Sequence, residues 1–127
     1  MLKVILIFVG SGIGGILRYA MQGWFQRLTE STFPLGTLAV NVIGCVLVGF
    51  LTALFTGPVL IREEYRVGLI IGILGGFTTF STFGLETFTL ANAGQFWSAA
   101  LNMALSCGLG FIAVWAGYRA AEHWFGV

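Results

Sequence analysis

The sequence has no aspartate, and its five acidic residues are all glutamates. Charged residues are only 9% of the 127 positions, where a soluble domain carries about a quarter. So few charges cannot solvate a globular surface. There is one histidine, His123, and there are two cysteines, Cys45 and Cys107, each inside an apolar run. That spacing fits no metal site and no secreted disulfide framework, so the thiols read as small packing residues. There is no Ser/His/Asp arrangement, no Cys/His pair and no carboxylate cluster, which argues against an enzyme. A net charge of +1 leaves no basic footprint for nucleic acid.

What the chain has instead is apolar length, with 57% hydrophobic residues. From Ser31 to Ile61 there is no charge across 31 positions, and about 20 suffice to cross a bilayer. The clearest helix runs from Pro34 to about Phe55, and Gly57-Pro58 stops it. The expected fold is all-α, a single transmembrane domain over 1–127 with spans at about 4–25, 34–55, 67–92 and 96–118. Arg18 is the one charge in the first of these and Glu86 the one charge in the third. Nothing between the spans is large enough to fold alone. Lys3 before an apolar run resembles a signal peptide, yet no A-x-A-like site follows and Arg18 falls where cleavage would lie. Four spans put both termini on one side, with Lys3, Arg62, Arg66 and Arg119. Arg27 lies opposite, with Arg18 near that side, so the positive-inside bias toward a cytoplasmic N-terminus is weak.

Glycine stands in rows: Gly10 and Gly14; Gly68, Gly72 and Gly76; and, with alanine, Ala100, Ala104 and Gly108. Small residues let helices approach where lipid offers no hydrophobic drive to associate, and close packing is the expectation for most of these rows. Gly10 to Gly15 also spells G-x-G-x-x-G after an apolar run, the dinucleotide fingerprint. The context excludes it, because a charge-free stretch follows where a Rossmann unit needs strands and polar-faced helices.

The polar residues that interrupt the spans carry the information. Asn41 lies in the middle third of span two, as an interhelical tie or a pore-facing donor. Gly75 to Gly84 places two adjacent glycines and four hydroxyls mid-span. It is either an unwound turn, whose freed carbonyls can hold a cation such as sodium, or an intact helix with back-bonded hydroxyls. Phe80 and Phe83 share a helix face, and their ring edges carry partial positive charge. Asn102 and Ser106 make a narrow polar track in span four. Arg18 is near enough to an end to snorkel, and Glu86 is placed to lie solvated at a pore mouth.

Three segments together resemble the Fluc (CrcB) fluoride-channel family: Gly14-Gly15-Ile-Leu-Arg18-Tyr19, Gly36-Thr-Leu-Ala-Val-Asn41-Val-Ile-Gly44, and Gly72-Ile-Leu-Gly75-Gly76-Phe-Thr78-Thr79-Phe80-Ser81-Thr82-Phe83. The resemblance covers essentially the whole chain. It implies a bacterial inner-membrane channel that passes fluoride passively, built as an antiparallel, dual-topology homodimer with two pores. It further implies a break in the third span and one structural, untransported sodium ion, held by the backbone carbonyls of Gly75 and Thr78 from both subunits. Asn41, Phe80 and Phe83 match the family's pore residues, and Asn102 and Ser106 fall on its fourth-helix track. Gly110 stands where some relatives carry a hydroxyl. Ser81 and Thr82 add donors for an ion that must shed its water.

Two other classes compete. A proton-coupled exporter like the small multidrug resistance family needs a carboxylate in its first helix, and none is present here. A non-conducting assembly subunit would leave the aligned polar track unexplained.

Overall fold

Runs that are apolar on every face form helices in a membrane, because only internal hydrogen bonding satisfies the backbone there. The computed structural model describes residues 1–126, and all its regular elements are helices. Helix α1 is Leu2–Gln26 and α2 is Leu35–Thr56. Helix α3 covers 63–77, α4 is Phe80–Asn92 and α5 is Phe96–Phe125. Four stretches are long and apolar enough to cross a membrane, with α3 and α4 together forming the third. The last helix runs past the expected end near Tyr118, and its final turns carry the exposed Arg119–Glu122 ion pair at 2.8 Å. Gly126, at φ 66°, closes it in the left-handed conformation that glycine adopts freely.

Two helix pairs make the bundle, each built on glycine. On α1, a Cβ at Gly14 would lie 2.1 Å from the Ile73 carbonyl, and one at Gly10 would lie 2.7 Å from that of Gly68. Gly76 meets the Ser11 carbonyl in the same way. The first two glycine rows therefore zip α1 to α3. Between α2 and α5 the contact passes through Gly49 against Val114 and Gly117 against Val46, single glycines that no row announces. The Ala100–Ala104–Gly108 row does not pack inside the chain. All three residues are exposed, and a Cβ at Gly108 would meet nothing. Buried Ala99, Ala113, Gly117 and Ala121 hold α5 in place instead.

Within α3, Gly68–Leu74 is wound as a π-helix. Such turns occur mostly as short insertions, often at functional sites. The Lys3–Glu63 ion pair at 3.0 Å ties the starts of α1 and α3 together on the side of the termini. It is exposed and contributes little to stability. Exposed Phe96 and Trp97 at one end of α5, and Trp124 at the other, sit where aromatic residues favour a membrane–water interface.

Candidate functional site

The third span breaks at two residues. Helix α3 ends with the Thr78 amide donating to the Leu74 carbonyl at 3.0 Å. Thr78 (φ −86°, ψ 157°) and Thr79 (φ −150°, ψ 114°) are then extended. The unwound alternative for this segment is the one the chain adopts. Two glycines at 75 and 76 weaken the helix, and the hydroxyls offer the backbone other partners. The restart is capped within the segment. Thr79 Oγ1 accepts the Thr82 amide at 3.2 Å, and its hydroxyl donates to Thr82 Oγ1 at 3.0 Å, with Ser81 Oγ at 3.4 Å. A threonine N-cap is worth about 1 kcal/mol.

Asn41 spans the break from α2. Its Oδ1 accepts the Thr79 amide at 2.8 Å and its Nδ2 donates to the Thr79 carbonyl at 3.0 Å. One side-chain amide therefore pairs with both polar groups of Thr79, as a neighbouring strand would. Its second Nδ2 hydrogen has no partner among the described residues. On the other side, Arg18 Nε donates to the Gly76 carbonyl at 3.2 Å. Arg18 thus does not simply reach for the membrane surface. A carbonyl released by the break is an acceptor that needs a partner at this depth, and the guanidinium turns inward to supply it.

The remaining carbonyls at the break are less satisfied. Gly75 would bond the Thr79 amide if the helix continued, and that amide is held by Asn41. Thr78 would bond the Thr82 amide, which Thr79 Oγ1 takes. Among the described residues, neither carbonyl accepts a hydrogen bond. Gly75 is exposed and Thr78 half-buried.

A groove of about 440 Å³ runs beside the break. It gathers Asn41, Gly75, Thr78, Phe80, Phe83 and Ser106 from three spans. The Phe80 and Phe83 rings stand 5.4 Å apart between centroids, tilted by 44°, and Phe80 is 82% exposed. Ser81 and Thr82 lie outside the groove, in the first turn of α4. Asn102 also lies outside it, 2% exposed. Its Nδ2 donates to Thr87 Oγ1 at 2.9 Å, and Thr87 Oγ1 donates to the Phe83 carbonyl at 2.8 Å. Ser106 Oγ reaches Asn102 Oδ1 at 3.4 Å. A relay of bonds therefore links the track on α5 to the turn that carries Phe83. Thr87 has no signal of its own in the sequence, since an isolated threonine in a span is ordinary.

One turn further along α4 lies a second cavity, of about 690 Å³, under the 27–34 and 93–95 connections. Glu86 borders it with Gln22, Gln26, Thr32 and Gln95. Glu86 Oε1 accepts the Thr37 hydroxyl at 2.8 Å, and Gln22 Nε2 donates to the same Thr37 oxygen at 2.7 Å. Glu86 Oε2 is buried with no partner among the described residues. Gln22 and Gln26 carry a signal in the sequence only as a spacing, since Arg18, Gln22 and Gln26 recur every four residues along one face of α1. No group of three His, Cys or Glu side chains that could hold a metal ion occurs among the described residues.

Comparison with known proteins identifies the family of this chain. Residues 5–118 match the family model described as CrcB-like protein, Camphor Resistance (CrcB). A protein of Geobacter sulfurreducens named fluoride-specific ion channel FluC is 46% identical over 97% of this chain and 99% of its own length. Proteins of the same name from Rhizobium etli and Coxiella burnetii are 44% and 42% identical, over 92% and 91% of this chain and 94% of their own lengths. With four apolar spans and a match over nearly its whole length, the chain is a multi-pass membrane protein that belongs to the CrcB-like family.

Proposed function

We propose that this protein is a fluoride-specific channel of the bacterial inner membrane. It lets fluoride leave the cytoplasm passively, carrying charge, and so confers fluoride resistance. The observation that carries the reading is the groove at the broken span, which offers neutral donors and phenyl edges and no fixed cationic side chain among its lining. Fluoride is small and strongly hydrated. A pore must replace its water with donors, yet release it again. Within the groove the second Nδ2 hydrogen of Asn41 and the hydroxyl of Ser106 can donate, and the hydroxyls of Ser81 and Thr82, just outside it, are further donors along the ion's path. The edges of Phe80 and Phe83 attract an anion without trapping it. Asn102 acts through Ser106 and Thr87. This is transport and not catalysis, in keeping with the relatives' name.

The working unit we infer is an antiparallel, dual-topology homodimer. Its support is the outward face of the break: Phe80 and Gly75 are exposed, and the Gly75 and Thr78 carbonyls lack donors. Carbonyls without donors facing lipid would cost several kcal/mol each, and a second copy would cover them. Carbonyl oxygens from two copies suit a hard monovalent cation, so the residues present fit a structural sodium at Gly75 and Thr78. When bound there, sodium supplies a fixed positive charge between the two pores and is not transported.

Proteoliposomes containing only this protein test the function. Fast fluoride efflux is expected, accelerated when valinomycin and potassium relieve the charge build-up, with little chloride flux and no need for a pH gradient. Obligatory coupling to protons would overturn the channel reading.

A further inference from the structure

We infer that Asn41 is a positioning residue for the cation cradle, resting on the cation reading above, in addition to any contact with the permeating anion. The argument begins with hydrogen-bond competition. In a continuous helix each carbonyl is closed by the amide four residues on, so the Gly75 carbonyl belongs to the Thr79 amide. Asn41 Oδ1 holds that amide at 2.8 Å, and Nδ2 holds the Thr79 carbonyl at 3.0 Å. Thr79 is only 8% exposed, so water does not readily replace the clamp. With both its polar groups engaged from α2, the Thr79 peptide is kept extended at ψ 114°, and the Gly75 oxygen is left over. Asn41 thereby maintains the free carbonyl on which cation binding depends, although its side chain need not touch the ion. Gly44, one turn further along α2, receives the Thr78 methyl so closely that a Cβ there would lie 2.2 Å from it. The same face of α2 therefore seats both residues of the break.

The test measures thermal unfolding of the purified full-length protein in detergent. Sodium is titrated against N-methylglucamine at constant ionic strength. The wild type and Gly12→Ala, where a Cβ would meet nothing and which lines neither cavity, should show a saturable sodium-dependent rise in melting temperature. Asn41→Ala should need at least tenfold more sodium for half of that rise. An unchanged midpoint in Asn41→Ala overturns the inference and leaves the cation reading standing. A wild-type melting temperature that ignores sodium overturns both. If Asn41→Ala does not fold, the wild type still decides. With ¹³C=¹⁸O at Gly75, the sodium-free amide I band should lie above that of a labelled helical carbonyl at Val48. Coincidence of the two bands would show Gly75 hydrogen-bonded and refute the clamp.

Discussion

Phe80 and Phe83 meet as a tilted pair on the rim of the groove, with Phe80 almost fully exposed on its own chain. A phenyl edge is polarised and an isoleucine side chain is not. Phe80→Ile and Phe83→Ile should therefore each slow fluoride efflux by an order of magnitude or more while the protein still elutes as a dimer. Wild-type flux in both variants would reduce the pair to packing. Their shared helix face was legible in the sequence, as was the mid-span position of Asn41. What Asn41 bonds was not legible. The same asparagine suits an interhelical tie or a pore donor, and only the placement of α2 beside the break gives its amide both groups of Thr79. Arg18 illustrates the opposite case. Its sequence position suggested the membrane surface, but the carbonyl freed at Gly76 lay within its reach.

Among the elements, the third span is the informative one. Its glycines and hydroxyls announced weakness without deciding between an intact and an unwound helix. Local propensity differences of a few tenths to about 1 kcal/mol are too small to settle that, and partners from α1 and α2 do so. The cap at Thr79 is local and separable. Thr79→Val keeps the shape, removes the acceptor for the Thr82 amide, and should destabilise the protein by about 1 kcal/mol. Thr79→Ser should retain most of that, as thermal unfolding would show. Equal stability of the valine and serine variants would deny the cap any weight. The π-helix at Gly68–Leu74 was not legible at all, because a π turn differs from an α turn in hydrogen-bond register and leaves no distinct residue pattern.

At the scale of the whole molecule, the count and order of the spans followed from apolar length, and the short connections left few alternatives. The pairing of α2 with α5 did not, since Gly49 and Gly117 belong to no row. Assembly is where the exposed surfaces bear. The carbonyls at Gly75 and Thr78, which accept no hydrogen bond among the described residues, leave one copy incomplete in lipid. Native mass spectrometry from bilayers is expected to give twice the 13.7 kDa of one chain, and a stable monomer conducting fluoride would contradict the proposed dimer. Dual insertion predicts that a cysteine placed at Gly126 is labelled from both faces of the cell membrane. Labelling from one face alone would rule it out.

The backbone contact between α1 and α3 also has a consequence for inheritance. At Gly14 the neighbouring carbonyl stands where any Cβ would sit. Every codon change that alters this residue adds that atom, and no conservative choice exists. The position has no gradient of severity along which a lineage can drift. A saturating mutational survey under fluoride stress should find position 14 empty of substitutions while Gly12 and Gly15, two and one residues away with open space around them, accept alanine.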